Sequence, residues 1–261
     1  MPAKRRTIDR QFTAVAHSHR PNLLVSGCSY TYNNSESCAV TWPYYLQDLA
    51  GFDQVWDVSQ PASGYNHTHT AVVTELETNS ELTPDNTLII VMWSGNERVD
   101  VTVERAQADS WSNMEPQDLA AGLSTIGLWP VAPNWSNQFG QCPDSGINGL
   151  RDLYRRLIPS TAQALDSHVQ LVSLAGYLSN LGFTYIFLDW EDIRNAVRIP
   201  GMDPWAQGRF ADVETLGRWA TRTGQRIPND GHPSPDAHLS WTREHLIPYL
   251  LAKDHLTALH K

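Results

Sequence analysis

The chain has 261 residues, 41% hydrophobic and 18% charged, a balance that fits an ordinary globular protein. Its 19 Lys and Arg against 28 Asp and Glu leave a formal net charge of −9, which argues against nucleic acid or an anionic membrane as a partner held by bulk charge. No window nears the ~18 consecutive apolar residues of a membrane span. Cys28, Cys38 and Cys142 cannot all pair and match no zinc module, which excludes a disulfide scaffold and a zinc ribbon.

Residues 1–20 read as a basic arm around Lys4-Arg5-Arg6 without the apolar stretch of a secretory signal, so the expectation is a chain made in the cytoplasm. Residues 21–255 read as one domain. Asn22 to Gly27 is a short apolar run closed by Gly, suited to a buried parallel strand. Thr41-Trp42-Pro43 opens a helix with Thr41 as N-cap and Pro43 in the first turn, and Gly51 closes it. Gln54–Val58 is a second strand, and Tyr65–Asn79 a helix with Ala71, Val72 and Leu76 on one face. Leu88–Trp93 is the strongest strand, apolar throughout and therefore buried on both faces. Val99, Val101 and Val103 alternate with polar residues as in a half-exposed strand or hairpin. The stretch 110–149, rich in Trp, Pro, Gly, Ser and Asn, reads as a long loop inserted over the site. Leu150–Leu181 is helical in two pieces broken near Pro159, and Thr184–Leu188 is a further buried strand. Gly201–Gly208 is a loop and Val213–Ala220 a short helix. Ser234-Pro235 starts a last helix running toward Leu251, with Leu239, Leu246 and Leu250 along it. Strands alternating with helices predict an α/β fold with a parallel sheet covered on both faces.

Four segments at the predicted carboxyl ends of strands or the start of a helix carry chemistry, where open α/β sheets place their sites. Gly27-Cys28-Ser29-Tyr30-Thr31 presents a Ser hydroxyl on a strand-to-helix turn. In Ser59–Asn66, Gly64 lets a backbone N–H approach a bound oxygen. In Trp93–Arg98, the Asn96 amide can donate to a developing oxyanion, and Arg98 can hold a substrate carboxylate or an internal carboxylate equally well. Tyr30, Asn66 and Trp93 join Arg98 as candidate substrate contacts. Asn229–His238 places His232 beside Asp230, the base-plus-orienter arrangement that makes a serine nucleophilic. The ten Trp residues suit a core or groove, or a sugar-binding surface.

Ser29, Gly64, Asn96 and His232, in that order, resemble the four blocks of the SGNH (GDSL-like) hydrolase family, and the resemblance runs from about Leu23 to Leu250 around the 110–149 insertion. Trp42–Leu46 followed by Asp57-Val58-Ser59 is similar to the family's link between its first and second blocks, and Trp93–Arg98 with the Trp-rich insertion resembles members carried by bacteriophages. The resemblance implies a three-layer α/β/α sandwich with a flavodoxin-like parallel sheet and a serine esterase that needs no metal and no organic cofactor. It assigns Ser29 as nucleophile, His232 as base, and the Ser29 N–H, Gly64 N–H and Asn96 side chain as oxyanion hole. Cys28 stands where the family has Asp, and Asn229 where it has the Asp three before the His. His232 is then oriented by Asp230 or by a backbone carbonyl.

The expected substrate is a small acyl ester, with acylated carbohydrate preferred because no long apolar lid helix is visible. Two other readings compete. One is a non-catalytic virion or carbohydrate-binding module, homo-oligomeric or virion-assembled, that keeps the fold without the chemistry. The other is a metal-dependent hydrolase using His67, His69 and His232, with His238 as a fourth imidazole.

Overall fold

The computed structural model describes residues 20–32, 40–61, 63–94, 99–104, 117–119, 123–128, 160–190, 210–228 and 231–258. Strands β1 (Asn22–Gly27), β2 (Val55–Asp57), β3 (Thr87–Trp93) and β7 (Thr184–Asp189) form one parallel sheet in the order β2-β1-β3-β7. A parallel bridge between Phe187 and Phe210 extends the same sheet by one residue beyond β7. The strand order steps one way from β1 to β2 and the other way from β1 to β3. The connections on either side of β1 therefore leave in opposite directions, which makes its carboxyl end the switch point of a doubly wound sheet.

The two faces of the sheet separate by the period-2 alternation of strand side chains. Leu23, Val25, Leu88, Ile90, Met92, Ile186 and Leu188 enter one cluster. It is completed by α1 (Trp42–Ala50), α4 (Leu216–Arg222), α5 (Pro235–Trp241) and α6 (Ile247–Ala252), through Trp42, Leu46, Trp219, Trp241, Ile247 and Leu250. Leu24, Ile89, Val91, Trp93 and Phe187 enter the other, against α2 (Tyr65–Thr78) and α3 (Ser160–Leu181) through Val72, Leu171, Leu174 and Leu178. This is the α/β/α three-layer arrangement with a parallel sheet. Short α7 (His255–Ala258) follows α6. Among the described residues no helix is long and apolar enough to cross a membrane.

Several elements differ from the sequence expectation. The 110–149 stretch is not structureless: β5 (Gln117–Leu119) and β6 (Leu123–Leu128) lie within it and pair antiparallel with β4 (Val99–Glu104) in the order β4-β6-β5. The short helix begins at Leu216 rather than Val213, because Thr215 is its N-cap and accepts from Arg218 N–H at 3.3 Å. The last helix runs through to Ala252 as expected, but its hydrogen-bond pattern is not α throughout. A π turn at Thr242–Leu246 separates α5 from α6 just before Pro248, whose missing N–H and bulky ring an unbroken α-helix would not accommodate. The arm at 1–19, the helical piece before Ser160 and the loop 201–208 lie outside the described residues.

Candidate active site

Three loops meet at the carboxyl end of the sheet. The chain leaves β1 through a tight turn in which Thr31 N–H and Tyr32 N–H both donate to the Cys28 carbonyl, at 2.8 and 3.0 Å. The turn is packed hard against β3: a Cβ on Gly27 would stand 2.5 Å from Thr31 Oγ1 and 2.8 Å from the Met92 carbonyl oxygen. Glycine is required there for close approach. Cys28 is fully buried in the core while its neighbour Ser29 is half-buried, so the turn sends the thiol inward and leaves the hydroxyl accessible.

The loop after β2 is stitched to the same point. Gln60 N–H and Ser63 Oγ both donate to the Gly27 carbonyl, at 3.1 and 2.8 Å, and Ser94 Oγ after β3 donates to the Ser63 carbonyl at 2.8 Å. The Asp57 carboxylate accepts from both Ser59 N–H and Ser59 Oγ, bending the chain as it leaves β2. Gly64 is the N-cap of α2, in extended conformation and with no side-chain cap, so the positive end of that helix starts at the residue predicted to donate its N–H.

His232 arrives from the far end of the chain on a small hairpin. Ser234 N–H donates to the Gln225 carbonyl at 2.8 Å, Ile227 N–H to the His232 carbonyl at 2.8 Å, and Arg226 bridges antiparallel to Pro233. Gly231 closes the turn at φ 78, with its N–H on the Ile227 carbonyl at 3.0 Å. The hairpin brings His232 Nε2 to 2.8 Å from Ser29 Oγ across 203 positions of sequence. With the ring as the Nδ1–H tautomer, Nε2 is the acceptor and can take the serine proton.

Of the other residues singled out from sequence, Tyr30 is buried beside this pair, its ring 5.3 Å from His232 and edge-on to Trp190 at 4.7 Å. Its body is thus a wall behind the base rather than an open substrate contact. Trp93 is corrected outright: it is 0% exposed, stacked on Tyr65 and edge-on to Phe187, because the β3 alternation turns it into the core. Asn66 is half-buried on the first turn of α2. Asn96, Arg98, Asn229 and Asp230 lie outside the described residues. Two residues the sequence did not flag adjoin Tyr30: Trp190, edge-on to its ring, and Arg226, whose Nη1 donates to Tyr30 Oη at 3.0 Å.

The imidazoles of the metal reading do not converge. His67 is buried in α2 with a backbone hydrogen bond to Val58, and burial lowers it to about 4. His69 Nε2 lies 3.2 Å from Ser173 Oγ on α3. His238 Nδ1 accepts the Trp42 N–H at 3.2 Å, and burial, reinforced by the His232 charge, lowers it to about 3. Among the described residues no group of three or more His, Cys, Asp or Glu is placed to hold a metal ion.

No protein-family model matches the chain, and no curated protein does. Among solved structures it is similar to TesA, with a TM-score of 0.45 and 14% identity, over 88% of this chain and 98% of that one. It is also similar to a Lactobacillus plantarum protein, with a TM-score of 0.46 and 12% identity, over 90% of this chain and 99% of that one.

Proposed function

We propose that the chain is a serine hydrolase of the SGNH type that cleaves a short acyl ester through an acyl-enzyme on Ser29. The observation that carries this is the 2.8 Å contact between Ser29 Oγ and His232 Nε2 at the carboxyl end of the parallel sheet. A base within hydrogen-bond reach is the geometric requirement for activating a serine. Ser29 Oγ attacks the ester carbonyl carbon and its proton passes to His232 Nε2. The tetrahedral intermediate collapses as His232 returns that proton to the leaving alcohol. Water, deprotonated by the same ring, then releases the acid and restores Ser29.

In this reading the oxyanion is received by Ser29 N–H, Gly64 N–H at the positive end of α2, and the Asn96 side-chain amide, each donor worth about 3–4 kcal/mol in the transition state. In the same reading His232 is oriented by Asp230 or by a backbone carbonyl, and Arg98 and Asn66 are the candidate substrate contacts. The turn after β1 keeps Cys28 out of the chemistry, since the thiol is buried in the core. The substrate we favour is an O-acylated carbohydrate.

The test is a fluorophosphonate probe read by intact mass on the wild type and on Ser29→Ala, with p-nitrophenyl acetate turnover measured on both. One adduct on the wild type, none on the variant, and turnover lowered roughly 10⁴-fold or more by the substitution are expected. No adduct and no turnover in the wild type would leave the non-catalytic binding module as the reading. A strong preference for long acyl chains would remove the carbohydrate.

A further inference from the structure

Arg226 lies half-buried on the hairpin that carries His232, and its side chain turns back over that hairpin. Nη1 donates both to Tyr30 Oη, at 3.0 Å, and to the Gly231 carbonyl. Tyr30 directly follows Ser29, and Gly231 directly precedes His232. One nitrogen thus bonds to the chain neighbour of the nucleophile and to the chain neighbour of the base. The rest of the guanidinium is anchored on α4: Nη2 donates to the Gly217 carbonyl at 3.0 Å and Nε to Thr221 Oγ1 at 2.7 Å.

We propose that Arg226 is a positioning residue for the Ser29–His232 pair, helping to set the distance between the nucleophile turn and the histidine hairpin. The proposal rests on the serine-hydrolase reading. The planar, rigid fork of arginine suits the task, because acceptors bonded to one guanidinium are held at fixed separations; a lysine ammonium on a flexible stem would not fix them. Tyr30 transmits the constraint, since the ring whose hydroxyl Arg226 holds stands against His232 on one side and Trp190 on the other. Reaction geometry is steep in such a site: a displacement near 1 Å costs about 10²-fold in rate.

The experiment compares the full-length wild type with Arg226→Ala, Arg226→Lys and Tyr30→Phe. It reads kcat and KM for p-nitrophenyl acetate, the rate of fluorophosphonate addition to Ser29, and Tm. Arg226→Ala is expected to lower kcat and the labelling rate together by roughly 10- to 100-fold with KM little changed. Guanidinium ion added below denaturing concentration restores part of the loss, a response that a scaffold defect would not show, and Arg226→Lys does not substitute. Tyr30→Phe removes only the hydroxyl, so it keeps the wild-type Tm and loses several-fold in kcat. It carries the test if Arg226→Ala does not fold. A wild type that labels at Ser29, with Tyr30→Phe and soluble Arg226 variants labelling at the same rate, overturns this proposal alone. A wild type that gives no Ser29 adduct overturns the serine-hydrolase reading and the positioning role with it.

Discussion

The two sides of the Ser29–His232 contact are built differently. The nucleophile turn is part of the core: Cys28 and Thr31 are 0% exposed and Tyr30 is 3% exposed. Thr31 is further gripped by α1, its carbonyl accepting from Thr41 Oγ1 at 2.6 Å and its hydroxyl from Trp42 Nε1 at 3.3 Å. The histidine hairpin is more exposed, with Pro233 buried but Gln225, Arg226, Ile227 and His232 only half-buried. Pro228 and Gly231 are exposed, and its shape rests on its own backbone bonds and on Arg226. A nucleophile fixed by packing tolerates little change in volume, whereas a base fixed by a few directional bonds is sensitive to the loss of any one.

Acid loads both sides and should give the largest effect on stability. His67 lies in α2, behind the Gly64 loop, and His238 in α5, behind the hairpin; both are held neutral by burial, at about 4 and about 3 against 6.5 for the free side chain. Between those values the unfolded chain binds protons that the folded chain does not. The stability these groups contribute is therefore complete above about pH 6.5 and falls as the pH drops toward 4 and 3, by about 1.4 kcal/mol per unit for each group. Replacing His238 by Asn keeps an acceptor for the Trp42 N–H and removes the titration. In denaturant unfolding the drop from pH 7 to pH 5 is expected to be smaller in His238→Asn by about 2 kcal/mol. Equal drops would mean that the hairpin side does not rest on a neutral His238.

β1, β3 and the positions of Ser29 and His232 were legible because each is signalled locally, by an apolar run ending in a turn or by a His beside a capped helix start. Trp93 misled because a strand buried on both faces shows no alternation, so nothing local says which way its last residue points. β5 and β6 were missed because they sit among polar, Gly- and Pro-rich residues, and they are stabilised by pairing that is not local to either: β6 with β4, and β5 with β6. Arg226 could not be found: its role exists only because Tyr30, 196 positions away, folds beside it. Asn96 and Asp230 lie outside the described residues: Asn96 is assigned by the sequence resemblance, whereas Asp230 is read from its place two residues before His232, since Asn229 holds the family's Asp position.

A pair of glycines separates packing from conformation. Gly27→Ala drives a methyl into Thr31 and the Met92 carbonyl, and should cost about 1–3 kcal/mol because the neighbour it meets is backbone. Gly231→Ala meets nothing within 4 Å, so its cost is the positive φ of 78 alone, about 1–2 kcal/mol. The two should differ in kind when turnover is measured beside Tm. Gly27→Ala disturbs the Ser29 turn directly, whereas Gly231→Ala acts through the carbonyl that Arg226 holds. If Gly27→Ala left both stability and turnover unchanged, the nucleophile turn would not be the packed side.

The smallest effect distinguishes two N-caps that look alike in sequence. Thr41 heads α1 but makes no side-chain cap, its hydroxyl being committed to the Thr31 carbonyl. Ser234 heads α5 and does cap it, accepting from Ala237 N–H at 3.2 Å, while its own N–H closes the hairpin on the Gln225 carbonyl. Ser234→Ala removes the cap and keeps the hairpin bond, since that bond is made by backbone. The expected loss is about 1 kcal/mol by denaturant unfolding, with p-nitrophenyl acetate turnover little changed. If turnover fell as well, the N-cap of α5, two residues beyond His232, would share with Arg226 the work of holding the base. The hairpin would then be fixed from behind by a helix as well as from above by a guanidinium, and the contrast with the packed nucleophile turn would narrow accordingly.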